Sequence, residues 1–197
     1  MDQEEVIFAA RLNEREELED FINEYGLDAV LNARDERSNS ILHMLSANNH
    51  YELLKAVIKF EDDAFIEKYS SLLENTLLHQ NESKSTALHW ASTNGNKEVA
   101  IFLCDLSKKL KGEVEHKLTF STNQSGQSAA SEAERGGHDD LVVELLARMD
   151  ALDNGTQKQE NEKEESQGDA HGEDTEDVVL KVGDTNEITN KVDEINL

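Results

Sequence analysis

Seven histidines and one cysteine are the side chains of this chain best suited to metal binding or catalysis. Zinc requires Cys and His residues clustered at short, fixed spacing, and a single cysteine among scattered histidines does not supply such a cluster. Cys104 follows Leu103 at the end of an apolar segment. Burial there would raise the pKa of the thiol and make it a small hydrophobic residue rather than a nucleophile. The sequence therefore predicts an inert thiol and no metal site.

The acidic residues and the glycines do not form a recognisable catalytic motif. Asp and Glu number 43, but a catalytic pair needs an enclosed apolar pocket that separates two pKa values. The sequence has no glycine-rich phosphate loop, no serine nucleophile elbow and no calcium-binding loop. These observations predict a protein that is not an enzyme and that uses no cofactor.

The charge of the chain indicates the kind of partner it would attract. The 43 acidic residues outnumber the 19 basic ones, and the formal net charge is −24. Such a charge repels nucleic acid and speeds the encounter with cationic proteins. Acidic segments can also serve only to keep a protein soluble, and this alternative stays open. The charge favours a basic protein partner and no direct contact with nucleic acid.

Cysteine content and hydropathy indicate the compartment. A single cysteine cannot form an intramolecular disulfide, which is typical of proteins in reducing compartments. Residues 1–5 are acidic where a signal or transit peptide would be basic, and no apolar run approaches the roughly 18 residues of a membrane span. We expect a cytoplasmic and nuclear protein that does not contact membranes.

The elements that position the side chains are internal repeats. The clearest copy reads Ser-Thr-Ala-Leu-His-Trp-Ala-Ser from Ser85, continues through an Asn-Gly turn at Gly95, and ends in a second apolar segment at Leu103. Its apolar residues recur every three or four positions, which predicts two short helices joined by a tight turn. Gly95 lies where the chain must reverse, a position that favours left-handed backbone angles.

This pattern resembles the ankyrin repeat, and three other segments match it. The resemblance implies an all-α ankyrin-repeat solenoid of about four helix-turn-helix repeats in a domain over residues 1–150. The repeats are expected at about residues 2–34, 35–80, 81–122 and 123–150. His43 and His89 occupy the family's histidine position, where the side chain ties a repeat to its neighbour, and His50 and His138 lie at the turns between helices.

Two insertions and a tail depart from the family pattern. The histidine positions are further apart than the roughly 33 residues of a standard repeat, so we expect helical insertions at residues 61–80 and 107–120. Residues 151–197 form an acidic tail, mostly disordered because residues 154–177 cannot bury enough apolar surface to offset ordering entropy. Apolar residues at helical spacing predict a short helix at 185–196.

The resemblance also implies where a partner binds. In ankyrin repeats the residue after the histidine position points into a concave face, and here Trp90, Met44, Phe8 and Glu132 stand at that place. A large rigid aromatic such as Trp90 is a typical anchor in an interface, and Met adapts to an irregular partner surface. The alternative is that Trp90 packs internally between helices.

Acidic residues near the predicted turn tips form the rest of the predicted site. Asp35, Glu36 and Glu82 lie beside this strip and could pair with Lys or Arg of a ligand. As isolated surface acids they would contribute little.

Within ankyrin proteins the resemblance can be narrowed. The strong third copy, the long insertions around it, a second helix ending in Leu-Cys-Asp and the acidic tail resemble the fungal ankyrin-repeat chaperones of small-subunit ribosomal protein S three. That resemblance implies a monomeric chaperone that binds this basic client one to one, keeps it soluble and escorts it for ribosome assembly. The other hypothesis is a generic ankyrin scaffold or an inhibitor of a signalling or transcription protein.

Overall fold

Short apolar segments at helical spacing fold into twelve helices in a computed structural model, which describes residues 2–110 and 112–167. The helices are α1 (Gln3–Leu12), α2 (Arg15–Tyr25), α3 (Leu27–Leu31), α4 (Ile41–Ala47), α5 (Tyr51–Ile58), α6 (Asp63–Lys68), α7 (Ser70–Leu78), α8 (Ala87–Thr93), α9 (Lys97–Lys109), α10 (Val114–Phe120), α11 (Ala129–Gly136) and α12 (Asp139–Gln167).

Four of these helix pairs are the repeats: α1 with α2, α4 with α5, α8 with α9, and α11 with α12. The first helices form a continuous row, since α1 contacts α4, α4 contacts α8, and α8 contacts α11. The interior of this row contains fully buried aliphatic side chains, among them Leu42, Leu45 and Leu88 at 0% exposure. The predicted all-α ankyrin-repeat solenoid is therefore confirmed.

The insertions build a further row of helices. Residues 61–80 contain α6 and α7, and residues 107–120 contain α10, which confirms the two helical insertions that the sequence predicts. The short helix α3, which the sequence analysis did not predict, contacts α7, and α7 contacts α10. Buried residues of this row, such as Leu31, Leu77 and Leu118, extend the core beyond the paired helices.

The turns between paired helices all use left-handed backbone. The positive φ angles are 64° at Asn13, 57° at Asn49, 69° at Gly95 and 74° at Gly137. The predicted role of Gly95 is confirmed, and a Cβ there would also lie 2.4 Å from Nδ1 of His138. In the first two repeats asparagine takes the place of glycine, because its short polar side chain tolerates this conformation best among the other residues.

The residue after each of the last three turns joins its repeat to the previous one. His50 Nε2 hydrogen bonds to Arg11 O at 2.9 Å. Asn96 Nδ2 donates to Ser46 O at 2.7 Å, and His138 Nε2 hydrogen bonds to Thr93 O at 3.2 Å. These bonds satisfy carbonyl groups at the carboxyl ends of α1, α4 and α8, which have no partner within their own helices.

The chain divides into two units, residues 1–158 and 159–197. The last described helix ends at Gln167, so its final turns cover the first part of the segment for which the sequence predicts disorder. The remainder of that segment and the predicted helix at 185–196 lie outside the described residues. Of the helices described, none combines the length and apolar character that crossing a bilayer requires.

Candidate protein-binding groove

An open groove of about 740 Å³ lies along the first three repeats. Helices α1, α4 and α8 each contribute to it, as does the turn that precedes α4. Of the seven predicted partner-binding residues, five line this groove: Phe8, Asp35, Glu36, Met44 and Trp90. The structure thus brings together side chains that are up to 82 positions apart in the sequence.

The apolar part of the groove consists of Phe8, Met44 and Trp90. Phe8 is 57% exposed, which is unusual for a large hydrophobic side chain, whereas Met44 is nearly buried. Trp90 is half-buried, and its ring meets the ring of His43 edge-on, with 5.7 Å between centroids. The indole therefore packs against a buried ring and still lines the groove. Both interpretations of Trp90, internal packing and exposure in the groove, thus describe part of its surroundings.

The ring of His43, which contacts Trp90, is held in place by hydrogen bonds at both nitrogens. Nδ1 accepts a hydrogen bond from Ser40 N at 3.2 Å, and Nε2 bonds to Ser85 O in the next repeat at 2.9 Å. Because Nδ1 is an acceptor, the proton must be on Nε2. Burial lowers the pKa of His43 from 6.5 to about 4, so the ring is neutral at physiological pH.

His89 makes the equivalent contacts one repeat further along the chain. Its Nδ1 accepts from Thr86 N at 3.2 Å, and its Nε2 bonds to Gln127 O at 3.1 Å. Burial lowers the pKa of this ring as well. The linking role that the family resemblance implies for both histidines is confirmed. These bonds also hold the starts of α4 and α8.

Asp35 shapes the turn before α4, residues 35–39, which is called the first turn tip below. Two of the predicted acidic residues, Asp35 and Glu36, lie on it. Its Oδ1 accepts from Arg37 N at 2.9 Å and from Asn39 N at 2.7 Å, and its Oδ2 accepts from Asn39 Nδ2 at 2.8 Å. Asn81 and Asn123 bind the backbone in the same way in the second and third turn tips, residues 81–85 and 123–127. The Asp35 carboxylate is therefore engaged within its own turn, and Glu36 is the exposed acid at this tip.

Successive turn tips are bonded to each other through the backbone. Glu82 N donates to Arg37 O at 3.1 Å, and Gln124 N donates to Ser83 O at 2.9 Å. Asn81 Nδ2 adds a bond to Asn39 Oδ1 at 2.7 Å. Glu82 is thus exposed on the tip next to the groove without lining it.

The structure places Glu132 away from the groove, inside the contact between the third and fourth repeats. Only 4% of the residue is exposed. Its Oε1 accepts from Asn123 Nδ2 at 2.6 Å, its Oε2 faces Thr93 Oγ1 at 3.4 Å, and Arg135 pairs with the same carboxylate. A buried carboxylate with this set of donors serves the packing of the repeats.

Three charged residues that line the groove are absent from the sequence-based prediction: Glu4, Arg11 and Arg37. Glu4 and Arg11 lie four residues before and three residues after Phe8 on α1, so they share its face. That spacing was a signal available in the sequence. Arg37 follows the turn residues already singled out, but its approach to the groove depends on how the turn folds.

The structure confirms that Cys104 is a buried thiol. It has no exposed surface and lies within α9. Burial raises the pKa of the thiol to about 12, which keeps it protonated and unreactive.

Comparisons with known proteins agree with this geometry. The family model described as ankyrin repeats, in three copies, matches residues 6–114. The chain is also similar to the chaperone chain in the crystal structure of the yeast ribosomal protein Rps3 in complex with its chaperone Yar1. The identity is 26%, the TM-score is 0.63, and the match covers 75% of this chain and 92% of the other. No curated protein matches the sequence.

Proposed function

The chain belongs to the ankyrin-repeat family, and from this premise we propose that it is the dedicated chaperone of a small-subunit ribosomal protein, Rps3. It binds the newly made protein one to one, keeps it soluble and accompanies it from cytoplasm to nucleus for assembly. The observation that carries the proposal is the groove containing Phe8, Met44 and Trp90, in a chain similar to the yeast Rps3 chaperone.

The apolar residues of the groove would hold an amphipathic segment of the client, most simply a helix. A helix laid into a groove is anchored by side chains at three- and four-residue spacing. Phe8 contributes the largest exposed apolar surface, and Met44 and Trp90 form the deeper part. Because ankyrin repeats bind proteins through such preformed surfaces and typically perform no catalysis, this role requires no catalytic group.

The acidic residues would act on the remainder of the client. Ribosomal proteins bind RNA through Lys and Arg, and acids that cover those cations keep them from unspecific RNA. Glu36 and Glu82 are exposed on adjacent turn tips and are proposed to pair with client cations. Asp35 and Glu132, whose carboxylates are engaged in the repeats, support the site by holding its turns.

Co-purification with Rps3 tests the proposal directly. The full chain is expected to recover Rps3 of the same organism from native extract in roughly equal amount and without ribosomal RNA. Recovery of a kinase or transcription factor in its place would instead support the generic scaffold.

The groove itself is tested by Phe8→Ala. Removing a phenyl ring that becomes buried on binding costs about 1.5–3 kcal/mol, which is tenfold or more in the Kd for Rps3. Leu146→Ala is the matched control, because Leu146 is 47% exposed on α12, which contributes no residue to the groove. Titration followed by the fluorescence of Trp90, the single tryptophan, measures both variants. Equal affinities of the two variants would contradict a client seated on Phe8.

A further inference from the structure

Two arginines project into the groove of an otherwise strongly acidic chain. Arg11 comes from α1 and Arg37 from the turn before α4, and both are exposed. Within residues 2–110 and 112–154, neither guanidinium has a hydrogen bond or an ion pair. By contrast, the other arginines are engaged: Arg15, Arg135 and Arg148 pair with carboxylates, and Arg34 donates to backbone carbonyls.

The backbones of these two arginines are held in place by contacts between repeats. Arg37 N donates to Asp35 Oδ1 at 2.9 Å, and Arg37 O accepts from Glu82 N at 3.1 Å. Arg11 O accepts from the ring of His50 at 2.9 Å. The backbone position of each arginine is thus fixed, while its guanidinium group remains available to a ligand.

These arginines make the groove mixed in charge. Of the acids that line it, Asp35 is engaged in its turn, so two carboxylates, those of Glu4 and Glu36, remain to balance the two guanidinium groups. A uniformly basic segment would bring its ammonium groups next to Arg11 and Arg37, and like charges brought together in an interface are unfavourable. A carboxylate at the same place would gain charge-assisted, geometrically specific hydrogen bonds from Arg.

We propose that the client segment seated in the groove carries a carboxylate beside its apolar anchors, and that Arg11 and Arg37 select for it. The cations of the client then lie at the rim of the groove, near Glu36, and outside it, near Glu82 and other exposed acids of the chain. This inference rests on the proposed function for the identity of the client. It concerns a property of the groove that can be measured without that client.

The first experiment compares two double variants for binding to Rps3. Arg11→Gln with Arg37→Gln removes both guanidinium groups, and Lys84→Gln with Lys97→Gln removes the same charge from two exposed lysines that do not line the groove. We expect the arginine variant to raise the Kd at least about tenfold, and the lysine variant to change it less than about twofold. Rps3 binding to the arginine variant as tightly as to the lysine variant would overturn the proposal.

The second experiment uses two synthetic amphipathic peptides of about 20 residues that share one apolar face. One peptide has only lysines on its polar face, and in the other the lysines that flank the apolar face are replaced by glutamate. The wild-type chain is expected to bind the glutamate peptide at least about fivefold more tightly, and the arginine double variant is expected to lose this preference.

The two experiments separate failure of the inference from failure of the proposed function. If the wild-type chain does not bind Rps3, the proposed function fails and the peptide pair alone decides the inference. If Rps3 binds but the glutamate peptide is not preferred, whether through equal binding, the reverse preference or no binding of either peptide, the inference fails.

Discussion

At the scale of single residues, His43 shows how a side chain can be committed to one protonation state by its surroundings. The ring accepts from Ser40 N and bonds to Ser85 O, so both nitrogens are used by the neutral form. Protonation would place a hydrogen on Nδ1, against the N–H of Ser40, in a buried site. The folded state therefore binds this proton less readily than the unfolded chain does.

This predicts a specific pH dependence of stability. A histidine pKa that folding lowers from 6.5 to about 4 contributes stability that is complete above pH 6.5 and lost as the pH falls towards 4. Between pH 7.5 and pH 5.5 the wild-type free energy of unfolding should fall by about 1 kcal/mol more than that of His43→Gln. Urea unfolding of both proteins at the two pH values measures the difference, and parallel losses would contradict it.

Residue roles were predictable from the sequence where one repeat copies another. His43 and His89 occupy one position of the repeat, and Met44 and Trp90 occupy the next position, so the family pattern locates all four. Glu132 is at the same register position as Met44 and Trp90 but does not line the groove, because Asn123 of its own turn and Thr93 of the previous repeat hold its carboxylate. Those bonds depend on how the third and fourth repeats pack, which register alone does not specify.

At the scale of elements, the turn tips repeat one backbone conformation with different residues. The left-handed position is Ser38 in the first tip, Lys84 in the second and Gly126 in the third, with φ angles of 62°, 54° and 72°. Left-handed backbone costs a residue with a Cβ roughly 1–2 kcal/mol, whereas glycine adopts it freely. The second tip therefore carries local strain that the third does not.

Lys84→Gly should accordingly stabilise the protein. We expect a gain of about 0.5–1 kcal/mol in the free energy of unfolding, since the greater freedom of glycine in the unfolded chain offsets part of the relieved strain. Lys84→Ala is the control, because it removes the same charge but keeps the Cβ. If the urea midpoints of the two variants coincide, relief of strain is not the cause of any gain.

The elements were largely predictable, with one informative exception. The excess spacing between histidine positions revealed both insertions, and apolar residues at helical spacing indicated that they are helical. Helix α3 was missed because five residues are too few to show a helical period. It forms because Val30 and Leu31 are buried in the row that α7 and α10 continue, which is a tertiary cause rather than a local one.

At the scale of the whole molecule, electrostatic attraction by the net charge acts over a longer range than the direct contacts in the groove do. The net charge is −24, yet the groove holds Arg11 and Arg37 beside its acids. Attraction of a basic client must therefore come mainly from acids elsewhere, including those of residues 168–197. The sequence predicted the sign of this field but not the mixed charge of the groove, because Arg37 reaches it only through the folded turn.

Salt and the tail should therefore affect the rate of association more than the rate of dissociation. Raising NaCl from about 0.05 to 0.5 M shortens the Debye length from roughly 14 to 4 Å, and we expect the association rate with Rps3 to fall at least about tenfold. Replacing residues 168–197 by an uncharged linker of equal length should lower the rate at low salt and flatten its salt dependence. Stopped-flow measurement of the Trp90 signal tests both effects. An association rate that neither salt nor the linker alters would favour the generic scaffold.

The bonds between neighbouring repeats bear on how a bound client could leave. The turn tips are joined through Glu82 and Gln124, and the opposite edge through His50, Asn96 and His138. Because both edges of the groove are held by these bonds, we expect the groove to keep its shape and not to expel a client by opening. Under the proposed function, release of the client is then a competition with ribosomal RNA. The RNA that finally receives Rps3 binds the cations of Rps3 first, and the short segment in the groove dissociates last.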